Sequence, residues 1–193
     1  ANVMRMPPLR TRRWTRNEYD RLVEVGVLGP DDRVELLDGL LVVREPQGSR
    51  HVTAVHRTRL ALERAFGPRF HARLQAPVAL DDTSEPEPDV AIVRGGLTDY
   101  RDAHPSSPVL VVEVADSTLA ADRLRKGPLY ARAGVPDYWI LNLVDAVLEV
   151  HRGPVRSPAG RWTYRRVRIL RPSASIAPLM APKARVRVAD LLP

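Results

Sequence analysis

Between Val109 and Asn142 the hydrophobic pattern changes period twice. Val109 to Val112 is an unbroken run of β-branched and apolar residues, the composition of a strand buried on both faces. Glu113 continues that strand, and a carboxylate among apolar neighbours is costly unless something positive meets it. Asp116 ends the run. The period then becomes helical, and residues four apart share a helix face, so Asp122, Lys126 and Tyr130 are expected side by side. GVPDYWI, from Gly134 to Ile140, returns to the apolar content of a strand entering a sheet.

The same rules order the rest of the chain. Thr15-x-x-Glu18 is a capping box that opens a short helix over Asn17 to Val25, closed by Gly26. Two alternating runs flank Asp38-Gly39, the signal for a tight hairpin. In the first of them Glu35 shares a face with Leu37, opposite Val34 and Leu36. Ser49 is placed to cap a longer helix through Ala65, with His51 and Val55 on one face and His56 near Val52 and Leu60; Gly67-Pro68 stops it. Arg69 to Leu80 forms one or two strands around Pro77. An acidic, proline-rich loop, DDTSEPEP, then leads through Asp89 into a strand at Val90 to Val93. Arg94 to Pro108 has the composition of a surface loop. Ala146 to His151, Arg161 to Leu170 and Lys183 to Val188 are further strands, and Asp190 caps a terminal turn. The pattern predicts an α+β fold: a mixed, twisted β-sheet with a helix on each side of its middle and a β-rich C-terminal extension.

At 193 residues the chain is expected to form a single domain spanning residues 1–193. The absence of cysteine excludes disulfides, thiolate zinc sites and cysteine nucleophiles. No apolar run approaches a membrane span, and the basic stretch ANVMRMPPLRTRR lacks the apolar segment of a signal peptide, so a cytoplasmic protein without membrane association is the expectation. The net charge of +7 is uneven. His151 to Pro193 carries ten Arg or Lys and one acid, leaving the first 150 residues at −2. A basic end on a slightly acidic body suits a polyanionic partner, although an arginine-rich solvated surface has the same composition. Only Lys126 and Lys183 are lysine among 30 basic residues. A compact ammonium at 126 differs in kind from a planar guanidinium, and it falls on the helix face already singled out.

Glu35, Asp89 and Glu113 thus occupy strands or the position just before one, and Lys126 follows on a helix. Hard divalent cations such as Mg²⁺ take oxygen ligands, typically one or two carboxylates plus a substrate phosphate. A bound cation lowers the pKa of water and polarises a phosphoryl oxygen, and a nearby lysine orients the water or offsets developing charge. These residue types are what hydrolysis of a phosphodiester requires.

Three blocks carry a resemblance. WTRNEYDRLVEVGVLGPDDRVELLDGLLV (Trp14 to Val42), EPDVAIV (Glu87 to Val93) and VLVVEVADSTLAADRLRKGPLYARAGVPDYWILN (Val109 to Asn142) resemble, in order and spacing, the Uma-type restriction endonuclease family of the PD-(D/E)xK nuclease superfamily. The resemblance implies a restriction-endonuclease-like core and an endonuclease acting on DNA with Mg²⁺, or Mn²⁺ in its place, in the manner of the many dimeric nucleases of this fold. Carried over by residue, Asp89 matches the aspartate of PD and binds the metal. Glu113 matches the acid of the EV motif as second ligand, with the Val114 carbonyl as a candidate third, and Glu35 matches the acid of the ELIDG-type strand as ligand or support. Lys126 matches the lysine, which stands on the helix rather than two residues after Glu113, where Ala115 lies. His51 matches a histidine at the head of the first long helix, contacting phosphate or ordering the site.

Two departures bear on that reading. Gly127-Pro128 follows the lysine, and a proline at 128 removes the hydrogen bond to Leu124, so the helix either kinks away from the site or restarts at Pro128. Ala115-Asp116 replaces the family's usual Ser-Pro, leaving Asp116 as an extra ligand or a turn residue. Trp162 and Tyr164, interleaved with arginines, suit either base stacking or a charge-protected sheet edge; the edge reading puts Val167 and Ile169 in the core. Asp122, Tyr130, Tyr138 and Trp139 are expected to be structural. The rival to the enzyme is a nucleic-acid-binding or interaction module that keeps the nuclease fold without its chemistry.

Overall fold

The structure is a computed structural model that describes residues 11–193. Most of the basic stretch ANVMRMPPLRTRR, on which the signal-peptide expectation rests, lies outside the described residues.

Helix α1, Arg16–Glu24, begins on the expected capping box: Thr15 accepts from the Glu18 N–H, and Glu18 reaches back to the Thr15 N–H. Strands β1 (Val34–Leu37) and β2 (Leu40–Val43) pair antiparallel around Asp38 and Gly39, both at positive φ, +50° and +75°. That is the turn whose twist matches two short strands. A side chain at 39 would also strike Arg13, since its Cβ would lie 2.6 Å from the Arg13 Cβ. The hairpin forms its own two-stranded sheet and docks on the body through a bridge between Leu36 and Glu85.

Helix α2, Ser49–Phe66, ends at Gly67, but its N-cap is Gly48 rather than the expected Ser49. Ser49 already has helical geometry, one residue inside the position where a hydroxyl could receive the orphan N–H groups.

Six strands form the central sheet: β3 (Phe70–Leu74), β4 (Val90–Arg94), β5 (Leu110–Ala115), β6 (Asp137–Asn142), β7 (Val147–Arg156) and β8 (Trp162–Leu170), in that order. All neighbours are antiparallel except β5 and β6. That parallel pair requires a crossover. The crossover is one helix in three parts: α3 (Leu119–Ala121), a π-turn (Asp122–Lys126) and α4 (Gly127–Arg132).

Alternation along β5 and β6 divides the core. Val112, Val114, Trp139 and Leu141 pack with Ala54, Val55 and Leu62 of α2. Val111, Ala115, Tyr138 and Ile140 pack with Tyr130 and Ala131 of α4. The fold is therefore α+β, a mixed sheet with a helix on each face. The C-terminal extension adds β9 (Ser175–Ile176), which the pattern did not predict, and β10 (Val186–Arg187), much shorter than the expected Lys183 to Val188. Ile176, Val186, Val188 and Leu191 close the α2 face. Asp190 lies inside the last turn rather than capping it; its carbonyl accepts from Arg57 on α2.

Strand β8 is an edge, as the interleaved arginines suggested, but Val167 and Ile169 are not core: they are 51 % and 64 % exposed. Helix α4 covers only the start of the strand, where Tyr164 is buried with Trp162 against it, so alternation further along has nothing to pack against. No helix among the described residues is long and apolar enough to cross a membrane.

Candidate active site

The carboxyl end of β5 and the start of β4 are neighbours because the strands run antiparallel, with Val90 opposite Val112. This register brings Asp89 beside Glu113, although 24 positions separate them. Both are buried, 5 % and 3 % exposed. Asp89 Oδ2 accepts from the Val114 N–H at 2.8 Å and from His51 Nε2 at 3.1 Å, and Oδ1 accepts from Gln75 Nε2 at 3.2 Å. Glu113 Oε1 accepts from the Tyr130 hydroxyl at 2.6 Å, and its Oε2 lies 3.4 Å from the Asp89 N–H. Glu35 arrives on β1 from the docked hairpin, where its Oε2 accepts from the Glu87 N–H at 2.9 Å.

Lys126 closes the constellation. Its Nζ sits 3.2 Å from Glu35 Oε1 and 3.2 Å from Glu113 Oε1. All four predicted charged residues are thus brought together, and His51 joins them through Asp89.

Gly127-Pro128 does not displace the lysine. The π-turn accommodates it: the Gly127 N–H bonds to the Asp122 carbonyl, five residues back, and the helix widens by one residue just before the proline. Pro128 then stands in the first turn of α4, where its missing N–H costs little. Tyr138 pins the widened turn by donating to the Asp122 carbonyl at 3.1 Å. Gly127 has little room, since a Cβ there would come within 3.3 Å of that carbonyl.

Electrostatics follow from one ammonium facing several acids. Burial drives the Glu113 carboxyl up to about 8, with the Lys126 charge opposing and Asp89 adding to the shift. Burial raises Asp122 to about 6, although Thr118 donates to it at 2.7 Å. For Asp89 burial is outweighed by the His51 hydrogen bond and charge and by the Val114 N–H, so its carboxyl is held low. His51 is raised in turn, the pull of Asp89 exceeding its own burial. Lys126 loses solvation but gains Glu113 and Glu35, and it remains protonated.

Among the described residues no three His, Asp or Glu side chains converge as a ready-made cation cage; the lysine ammonium occupies the centre instead. The donor set nonetheless fits a hard divalent cation. Asp89, Glu113 and Glu35 offer oxygen ligands, and their negative charge exceeds what one lysine offsets. Burial raises Glu113 most, with Asp89, Asp122 and Glu35 adding to it, and a cation beside these oxygens would act against that shift as Lys126 does. These groups line a cleft of about 580 Å³ that also takes in Arg44, Asp116 and Arg125.

Sequence reasoning missed the supporting contacts. Tyr130, expected to be structural, holds Glu113. Gln75 and the Val114 N–H orient Asp89. Arg44 pairs with Glu87 at 2.6 Å on the cleft wall. The i, i+4 spacing of Lys126 and Tyr130 was the one available signal for the first of these; nothing local marks Gln75 or Arg44. His56 is exposed, and His151 packs between Tyr138 and Tyr164 with its Nε2 3.5 Å from Glu149, outside the cleft of Asp89 and Glu113.

With this geometry in hand, comparison with known proteins is decisive at the level of family. The Uma2 family, described as "Putative restriction endonuclease", matches residues 16–189. The chain belongs to the Uma2 family. A solved structure described as a "putative nuclease belonging to DUF820 from Anabaena variabilis ATCC 29413" is similar in fold, with a TM-score of 0.69 at 13 % identity. The similarity covers 87 % of this chain and 94 % of that one. No curated relative matches the chain. Uma2 membership and the shared fold make this a nuclease-like protein.

Proposed function

We propose that this Uma2 protein is a metal-dependent endonuclease that hydrolyses phosphodiester bonds in DNA, with Mg²⁺ as the cation and Mn²⁺ as a substitute. The observation that carries the reading is the convergence of Asp89, Glu113, Glu35 and Lys126 in one cleft, from a hairpin, a loop end, a strand and a crossover helix that have no local reason to meet. Asp89 and Glu113 would hold the cation, with Glu35 beside them. The cation supplies Lewis acidity toward the phosphoryl oxygen and a lowered water pKa. His51, Gln75 and the Val114 N–H fix the orientation of Asp89, and Tyr130 fixes that of Glu113. Lys126, held between Glu35 and Glu113, presents its remaining N–H donor to the cleft, where it can orient water or offset charge growing on phosphate. Cytoplasmic action as a homodimer, one site per strand, belongs to the same proposal.

The test is incubation of wild type and Asp89→Ala with supercoiled and single-stranded DNA in Mg²⁺, Mn²⁺ and EDTA. Nicking or cleavage that needs a metal and disappears in the variant supports the enzyme. DNA binding in EDTA with a steep salt dependence and no cleavage in either metal would replace it with the binding module.

A further inference from the structure

Helix α2 starts at the cleft, where Gly48 and His51 form part of the wall, and its later turns leave it. The outward face of the helix carries Arg50, Arg57 and Arg64, all exposed. Seven residues advance a helix by about 10 Å and return to within ~20° of the same direction, so the three form one row about 21 Å long. Glu63 is the only acid on α2, and Arg59 already pairs with it at 3.2 Å. Among the described residues none of the three arginines pairs with a carboxylate; Arg57 donates to the carbonyls of Ala189 and Asp190, and Arg64 to that of Leu60. Arg50 stands in the first turn, where a cation acts against the helix dipole, so it does not serve the helix itself. At its far end the row enters a groove of about 530 Å³ between α2 and the C-terminal extension. Arg185, held by Ser175 at 3.2 Å, joins Arg57 and Arg64 there, and Asp190 is the one acid in the lining.

Uncompensated guanidinium groups in a row call for an extended polyanion, because each can hold one phosphate. The row is continuous with the cleft, which selects a polyanion that passes through the cleft over an anionic lipid surface. We propose that Arg50, Arg57 and Arg64 form the track along which the backbone of duplex DNA leaves the cleft, with Arg185 closing its far end. This rests on the nuclease reading for which end of the track lies at the reacting phosphate. One strand of a duplex advances about 3.4 Å per nucleotide, so arginines about 10 Å apart meet roughly every third phosphate and the row covers about six nucleotides. Contacts of this kind fix the register of the strand without reading its bases. They also give the uneven charge of the chain a use, since the basic C-terminal extension meets α2 where the track ends.

The probe is a fluorescein-labelled DNA duplex longer than the row, bound in EDTA across a range of NaCl concentrations and followed by anisotropy. Wild type is compared with Arg50→Gln/Arg64→Gln and with Arg165→Gln/Arg168→Gln, which removes the same charge from β8, at the opposite edge of the sheet from β3. Glutamine keeps the helix propensity of arginine, and circular dichroism checks that both variants fold. The first variant is expected to lower the slope of log affinity against log salt by about two, one per arginine, and the second to keep the wild-type slope. An unchanged slope in the first variant, an equal fall in both, or no wild-type binding to the duplex would overturn the inference; binding to phosphatidylserine vesicles in place of the duplex would make the row a membrane surface. Incubation of the same duplex in Mg²⁺ and Mn²⁺ separates the two readings. Cleavage by wild type with a slope that Arg50→Gln/Arg64→Gln does not change removes the track alone. A slope lowered by about two with no cleavage in either metal removes the nuclease alone.

Discussion

Replacing Lys126 by methionine keeps most of the side-chain volume and removes the one positive charge between Glu35 and Glu113. Both carboxylates are almost fully buried, with side chains 4 % and 3 % exposed, so solvent cannot take over the lysine's role. Removing one partner of a buried ion pair costs about 3–5 kcal/mol, because the other is left desolvated and unpaired. The lower end applies, since Glu113 already holds its proton up to about 8 and can neutralise itself. About 3 kcal/mol in a chain of this size lowers Tm by roughly 6–12 °C. Thermal melts by circular dichroism in EDTA at neutral pH measure this directly. Adding Glu35→Gln to the variant removes one stranded charge and should recover at least half of the loss. A Tm equal to or above wild type would mean that the carboxylates stand neutral without the lysine, and the electrostatic account of the site would fail.

Other expectations are shorter. Glu85 is raised by burial from 4.5 to about 7, with Asp20 and Glu87 adding and Arg16 opposing. The folded state therefore binds this proton more tightly; the stability it contributes is full below 4.5 and lost as pH rises through 7. Glu85→Gln should accordingly be more stable than wild type in urea at pH 8, by a margin that narrows towards pH 5; a pH-independent margin would contradict the assignment. Asp137 is fully buried and accepts from Trp139 Nε1, Arg152 and the Leu179 N–H at 2.7–3.0 Å, so Asp137→Ala should cost about 3 kcal/mol in urea unfolding. Limited proteolysis of that variant should cut first in the C-terminal extension that Leu179 anchors. Gly127→Ala forces a Cβ against the Asp122 carbonyl and Tyr138, and should cost about 1 kcal/mol while lowering kcat more than KM, as Lys126 shifts.

What the sequence made legible was local. The capping box at Thr15, the Asp38-Gly39 turn and the apolar run into Glu113 are each decided by residues within a few positions, and each appears where expected. The four charged residues of the site were legible because three sit on or just before strongly patterned strands and the fourth shares a helix face with Asp122 and Tyr130. What could not be read was decided at a distance. Gln75 meets Asp89 only because β3 pairs with β4, and Arg44 meets Glu87 only because the hairpin docks. Val167 and Ile169 alternate as core residues do, yet nothing packs over their part of the edge strand. The proline after Lys126 was rightly marked as a disturbance, but a breaker residue shows that a helix must adjust without showing how. Here the adjustment is one extra residue in a single turn.

That extra residue makes the crossover's fit a matter of counting. Upstream, the Asp122 carbonyl is fixed by Tyr138; downstream, Tyr130 is fixed by Glu113. Between those anchors the helix holds one residue more than a regular turn needs, so a single-residue deletion among 123–125 could close the wide turn into an ordinary one and leave both walls seated. Lys126 lies on the downstream side, four residues before Tyr130 on the same face, so such a deletion would leave it facing the acids and remove only the widening. The wide turn is thus slack that lets the crossover meet two fixed anchors, one on each side, while the ammonium keeps its place with the downstream one.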